Sequence, residues 1–550
     1  MTDDIARLAD RYFAYLARSF PVMCASDEFH FLPRAQAAAD YYDLLDDLGS
    51  KAIARIVAQL KDFRDEIAGF ADQVDRLEDR IDLELLQANI AGVLIELDQK
   101  RSWQYNPLLY LKIAFIGLDH ALNKPAAGRK VRIDRFIARL AAIPGLLEQA
   151  AVNIQSIPFT YSQAARFMLE ECRQHLDLTG SRLLAELNGK AAGSLTTHLN
   201  HSRAALQRLG DHWRGLPVVP DGQFAADTLD ETLRNHFLNQ RSIDDIYQLA
   251  VQEWEQILDK LKQLQQKLNP AASWQSLYHN YLPVEVEKHD TLALYRREIS
   301  RLRHFFHRQG FSPAELNRPV EISETPHYLK SVRGAASFAA AFTADEREKS
   351  YFYITTQLAG SSTDQAASLL RRRFHREFKM LTAHGTIPGH HYLDSIRCRL
   401  QNPVRRQIES ALFYEGWASY AEFLLVDAGY VYHPMDLLVD YKRRLWRSAR
   451  CQVDVGLATG RLDIPKALGL LEECGFSAEE ARRQIDRFRL NPGYQLCYSL
   501  GCHEFRQVKA SCGGHLTDAD FHIFVLEGGE LPFHLIRERL MALGNKCVSS

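Results

Sequence analysis

The stretch from Ser242 to Leu268, SIDDIYQLAVQEWEQILDKLKQLQQKL, constrains the fold of this chain more than any other. Its apolar residues Ile246, Leu249, Ala250, Ile257, Leu258, Leu261, Leu264 and Leu268 recur at spacings of three, four and seven. That is the period of one face of an α-helix. Ser242 with Asp245 three residues on is a capping-box start, and Asn269-Pro270 is a stop. No heptad run continues beyond it, so the helix is expected to pack inside its own chain rather than in a coiled coil with a partner. The same pattern fills Ile5 to Leu16, Ala52 to Phe63, Arg76 to Leu97 and Ile133 to Ile143. The fold class expected is mainly α.

The texture changes after about Phe311. RPVEIS (Arg318 to Ser323), ASFAAAF (Ala336 to Phe342) and SYFYITT (Ser350 to Thr356) are short, apolar and bounded by Pro, Gly or charge clusters, which suits a small β-sheet. Helical patterns resume from Leu369. With 550 residues the chain is long enough for two or three domains. The organisation expected is a helical lobe over 1–310 and a second lobe over 311–550, holding the small sheet and the C-terminal helices.

Charge excludes some partners. Lys+Arg number 67 against 69 Asp+Glu, so neither nucleic acid nor an anionic membrane is expected as a bulk partner. No run approaches a membrane span. The start, MTDDIARLADRYFAYLARSF, is charged from its third residue and has no apolar signal core. Nine scattered cysteines without paired spacing read as reduced thiols, and the compartment expected is the cytoplasm. CYSLGCHE (Cys497 to Glu504) lacks the second pair that structural zinc needs and reads as core cysteines on a helix. RRRFHREFK (Arg371 to Lys379) reads as a solvated helix face or a clamp for a substrate carboxylate. Gly-x-Ser-x-Gly, phosphate-loop and Gly-x-Gly-x-x-Gly patterns are missing, which leaves serine-hydrolase, nucleotide-hydrolase and dinucleotide-binding readings unsupported.

The chemistry concentrates in LTAHGTIPGHHYLD, Leu381 to Asp394. Catalytic zinc takes three protein ligands and leaves one position open. His384 and His391 are seven apart and would stack on an unbroken helix. Pro388 and Gly389 intervene, however, so spacing leaves open whether His390 or His391 turns inward. A third ligand is available in EGWASYAE, where Glu415 and Glu422 lie seven apart on one helical face.

These segments resemble the bacterial domain-of-unknown-function 885 family (DUF885), a predominantly helical set akin to the gluzincin zinc metallopeptidases. The resemblance rests on HGTIPGHH (His384 to His391), EGWASYAE (Glu415 to Glu422), RSARCQVDVG (Arg447 to Gly456), NPGYQLCYSLG (Asn491 to Gly501) and FHIFVLEGGELP (Phe521 to Pro532), in that order. RYFAYLARSFPVMCASDEFHF near the start is similar to the family's N-terminal part. The resemblance implies a large helical metallopeptidase-like fold with its small sheet beside the active-site helix. It implies zinc, or another divalent metal, held by His384, one of His390 and His391, and Glu415. It also implies Tyr498 and Arg450 near the substrate, with the Tyr498 hydroxyl able to donate to a developing oxyanion.

The chain departs from the family pattern where it matters most. Gly385 stands where the family carries the glutamate that would accept a proton, and losing a general base costs on the order of 10²–10⁴ in rate. Leu393 and Asp394 replace a family Gln, and Ala458 replaces a family His. Three polar positions have changed while the candidate ligands remain. The expectation is a metalloenzyme with a repurposed site, acting on a small amide, peptide or amino-acid-derived substrate, with Asp394 or Glu422 as the fallback base. The alternatives are a non-catalytic binding or regulatory pseudo-peptidase and a non-hydrolytic metalloenzyme of a biosynthetic pathway. Gly385 is further expected to open room beside His384.

Overall fold

The computed structural model describes residues 2–70, 74–222, 226–330, 333–342, 345, 347–356, 374–512 and 516–548. The fold is mainly α. Its helices of eight residues or more are α1 (Thr2–Ser19), α2 (Ser50–Ala68), α3 (Leu77–Leu94), α4 (Pro107–Asn123), α5 (Arg129–Asn153), α6 (Phe159–Leu184), α7 (Gly189–Gly215), α8 (Ile243–Leu268) and α9 (Thr291–Arg308). They continue with α10 (Phe378–Gly385), α11 (His390–Arg397), α12 (Ala411–Asp427), α13 (Pro434–Thr459), α14 (Ile464–Glu473), α15 (Ala478–Arg489), α16 (Cys497–Ser511), α17 (Asp518–Glu527) and α18 (Phe533–Val548).

The long amphipathic stretch forms α8 with the capping box its sequence predicts. The Asp245 N–H donates to Ser242 Oγ at 3.1 Å, and the Ser242 N–H donates to the Asp245 carboxylate at 3.3 Å. Its buried residues Ile246, Ala250, Trp254 and Leu261 pack on α13, a helix nearly two hundred residues later. The contact is sealed by the Ser448 hydroxyl, which donates to the Ala250 carbonyl at 2.5 Å. Contacts between chain ends also cross residue 310: the Arg34 N–H donates to the Gln407 carbonyl at 2.8 Å.

Two short strands, β1 (Ile157–Pro158) and β2 (Val218–Val219), pair in parallel. The three expected strand segments form β3 (Val320–Glu324), β4 (Ala336–Ala339) and β5 (Ser350–Ile354), in the order β3-β5-β4. β3 runs parallel to β5 and β4 antiparallel to it, with Ile322 and Phe338 both registered on Phe352. Side chains alternate along β5. Phe352 and Ile354 are buried against the helices, while Tyr351 and Tyr353 turn to the other face and stack at 5.5 Å. The sheet lies against α10, the helix that carries His384.

The helical resumption from Leu369 lies outside the described residues, as do Arg371 to Arg373 of the basic run. The rest of that run is not a solvated face. His375 and Arg376 are buried. Arg376 donates to the Tyr278 carbonyl, and Glu377 accepts from Lys442, Arg443 and Tyr278. Cys497 is buried and Cys502 half-buried on α16, both as free thiols, and no disulfide joins any of the described cysteines. No described helix is long and apolar enough to cross a membrane.

Candidate metal centre

His384 sits in the last turn of α10. The chain then doubles back. The Gly389 N–H donates to the Ala383 carbonyl at 2.9 Å, and a Cβ at 389 would stand 2.0 Å from the His384 carbonyl oxygen, so the turn accepts only glycine. α11 begins at once with His390, whose ring lies 4.8 Å from that of His384, centroid to centroid. His391 faces away from this pair. Its Nε2 donates to the Arg318 carbonyl at 3.0 Å, and burial pushes its pKa down to about 4. The turn therefore brings in His390 and leaves His391 outside the cluster.

Glu415 arrives on α12, which crosses α16 backbone to backbone. A Cβ on Gly416 would lie 2.6 Å from Gly501 Cα, and one on Gly501 would lie 2.3 Å from the Leu412 carbonyl oxygen. Two glycines at the crossing set this close approach. It carries two α16-side phenols over Glu415. Tyr494 and Tyr498 donate to Glu415 Oε1 at 2.5 and 2.8 Å. Trp417 Nε1 donates to the Pro388 carbonyl at 2.9 Å and ties α12 to the histidine turn.

The other oxygen, Glu415 Oε2, is buried without a hydrogen-bond donor among the described residues. It lies 3.3 Å from His384 Nε2 and 3.6 Å from His390 Nε2. The ligand atoms that His384, His390 and Glu415 offer all fall within 4.8 Å of one another. Atoms bound tetrahedrally to zinc at its usual bond lengths stand about 3.3–3.6 Å apart. The donor set and its spacing fit a divalent cation with one position left open. Burial alone would push the Glu415 carboxyl up. The two imidazoles outweigh it and hold the group well below the usual carboxylate range. Burial also lowers His390, whereas at His384 the two facing carboxylates overcome burial and raise the pKa.

Glu422 stands behind His384, with Oε1 3.0 Å from Nδ1. A carboxylate in that place fixes the ring and its tautomer, as in metal sites whose ligating histidines are held from behind. Glu422 is itself saturated. Arg443 donates to both its oxygens at 2.8 Å, and Arg447 donates to Oε1. Asp394 is similarly occupied: Arg34 donates to it at 2.6 Å and Tyr414 at 3.0 Å. Neither acid has the free, substrate-facing oxygen that a fallback base requires. Arg450 lies with its guanidinium carbon 3.7 Å over the Tyr498 ring, and His384 stacks on the same ring at 6.0 Å.

Gly385 does not open room beside His384. A Cβ there would meet Phe352 Cε2 at 2.5 Å, so the β5 phenyl ring already fills that space. Two further groups carried no sequence signal. Tyr494 was hidden in a segment read for Tyr498. His30, far upstream, stacks on Tyr494 at 4.8 Å, and its Nδ1 lies 2.7 Å from Glu409 Oε1. Burial would lower His30, but Glu409 outweighs it and raises its pKa.

The sequence matches, over residues 33–540, the model of a family described as "Bacterial protein of unknown function (DUF885)". No curated protein matches it. Two solved structures share the fold across nearly the whole chain. A "putative lipoprotein of unknown function" from Shewanella oneidensis has a TM-score of 0.74 at 18% identity, covering 98% of this chain and 99% of its own. A "putative lipoprotein" from Colwellia psychrerythraea has a TM-score of 0.76 at 16% identity, covering 99% of each chain.

Proposed function

The chain belongs to the DUF885 family, and from that premise we propose that it is a metal-dependent hydrolase-like enzyme acting on a small amide, peptide or amino-acid-derived substrate. One observation carries the reading: the buried, donor-free Oε2 of Glu415 between His384 Nε2 and His390 Nε2. A buried charged oxygen left without a partner is costly unless something fills the place. Zinc or another divalent cation held by these three residues would supply Lewis acidity toward a substrate carbonyl. Tyr494 and Tyr498 fix the unused oxygen of Glu415, and Glu422 orients His384. Tyr498 can also turn its hydroxyl to an oxyanion. The proton acceptor missing at Gly385 falls to His30, whose ring Glu409 holds by Nδ1, in the arrangement that orients a general base.

A second reading, a non-catalytic protein that keeps the fold and the metal to bind a ligand, is favoured by Phe352. Its ring occupies the space next to His384 where a glutamate would stand. In either reading the compartment taken is the cytoplasm, on the free thiols, although the two structural relatives are described as lipoproteins. Cell fractionation tests that assignment.

The first test is metal content by elemental mass spectrometry. About one divalent metal per chain is expected, lost in Glu415→Ala and His390→Ala and kept in His391→Ala. No metal in the wild type after reconstitution would overturn the proposal. Amide turnover that survives in wild type but not in His30→Gln, with metal retained in both, selects the enzyme over the binding protein.

A further inference from the structure

Helix α13 presents a row of arginines to the interior, and all but one in the site region are matched by acids. Arg443 pairs with Glu422 and Glu377, Arg444 with Asp440, and Arg447 with Glu422. Arg450 is buried and has no carboxylate within ion-pair reach among the described residues. Its guanidinium donates to Gln495 Oε1 at 3.1 and 2.5 Å. Otherwise it meets ring faces: Tyr498 at 3.7 Å, Trp446 at 4.8 Å and Phe488 at 5.5 Å. Asp454, one turn along, spends its oxygens on the backbone N–H groups of Gly493, Gln495 and Leu496.

A second guanidinium shares this neighbourhood. Arg487 on α15 likewise lacks an acid partner among the described residues. Its side chain reaches the segment before β4, where a Cβ on Gly334 would lie 3.1 Å from Nη1. Although Arg487 keeps an exposed surface, burial by its surroundings and the charge of Arg450 both push its pKa down. It therefore faces a recess rather than open solvent. Glu28, the acid in its field, is already held by Lys112 and Arg333. Two guanidinium groups set near each other without a counter-ion are unfavourable until an anion arrives. Their planar forks match a carboxylate, which can accept two parallel hydrogen bonds from each.

We propose that Arg450 and Arg487 form a carboxylate-binding subsite, set across the Tyr498 ring from His384, and that the ligands of this protein carry a free carboxylate close to the amide presented to the metal centre. N-acylated amino acids and the C-terminal ends of short peptides have that form. The word substrate rests on the hydrolase reading above; the anion site itself does not. In hydrolysis of such a ligand, water adds to the carbonyl carbon, the C–N bond breaks, and the amine leaves with one proton while the acyl part becomes a second carboxylic acid. The subsite neutralises the carboxylate the ligand arrives with and so sets which amides bind.

The test uses the full chain in chelator and a panel of N-acetyl amino acids, each paired with its own carboxamide, titrated by calorimetry. The acids are expected to bind roughly tenfold or more tightly than the amides, the scale of one or two charge-assisted hydrogen bonds. Arg487→Gln, a change at an exposed side chain, should erase the preference without unfolding the protein, and Arg450→Lys should weaken it. Glu415→Gln should leave it in place. Equal binding of acids and amides by the wild type, or a preference that survives Arg487→Gln, would overturn the subsite. A wild type that holds no metal yet keeps the preference would sink the hydrolase reading and leave the subsite standing.

Discussion

Glu415 and Glu422 lie two turns apart on the same face of α12, both buried, yet their surroundings differ in kind. Glu422 faces His384 Nδ1 and is closed off by Arg443 and Arg447. Glu415 gives one oxygen to two tyrosines and leaves the other without a donor, between two imidazoles. A saturated buried carboxylate is part of the scaffold. A half-saturated one is a place where folding has left a bond to be made by something else. The distinction lies not in the acids, which are identical, but in which helix each one meets. Glu422 meets arginine-bearing α13, and Glu415 meets the tyrosines of the α16 side through the glycine crossing.

One substitution made at both positions should break the symmetry most strongly. Glu422→Gln leaves Arg443 and Arg447 short of a buried counter-charge and is expected to cost about 3–5 kcal/mol in urea unfolding with chelator present. Glu415→Gln keeps an acceptor for Tyr494 and Tyr498 and should stay within about 1 kcal/mol of wild type under the same conditions. Equal losses at the two sites would remove the distinction between scaffold and site.

A smaller effect separates them by pH. Glu377 belongs to the saturated side: burial would raise its pKa, but Lys442 and Arg443 outweigh it and pull the group down to about 2. A carboxylate depressed in the folded state stabilises the fold above its unfolded pKa near 4.5, and that contribution disappears as pH falls toward 2. Wild type should therefore exceed Glu377→Gln by up to about 3 kcal/mol at neutral pH, the gap closing between about pH 4.5 and 2. A gap that does not change with pH would show that Glu377 acts by packing rather than by charge.

Much of this arrangement was legible in the sequence, and the reasons for the rest are physical. Periodicity gave α8 and its cap because a capping box is a local device, decided within four residues. The strands at Val320, Ala336 and Ser350 were legible from short apolar runs. The choice between His390 and His391 was not, because it depends on how a Pro-Gly turn directs the next helix, and spacing rules assume an unbroken one. The pairing of Glu422 and Asp394 with arginines was hidden for another reason. Arg34 and Asp394 are brought together from opposite ends of the chain, as are His30 and Glu409. No period within a single segment encodes such a meeting. The void imagined at Gly385 failed in the same way: the atom that fills it comes from β5, which the histidine segment itself does not mention.

The smallest effect tests that last contact. Adding a methyl at Gly385 should gain about 1 kcal/mol of helix propensity. The Cβ, however, would stand 2.5 Å from a buried ring edge of Phe352, and overpacking of this kind costs about 1–3 kcal/mol. Gly385→Ala is therefore expected to be neutral to destabilising by up to about 2 kcal/mol in the wild-type background, the difference between those two contributions. In a Phe352→Ala background the ring is gone and the same change should turn stabilising. A double-mutant cycle in chelator measures the coupling, which contact predicts to be about 0.5–3 kcal/mol. Additive costs would mean that Phe352 does not close the space beside His384. The glycine would then border open volume, and the site would again have room for a group where its relatives carry a glutamate.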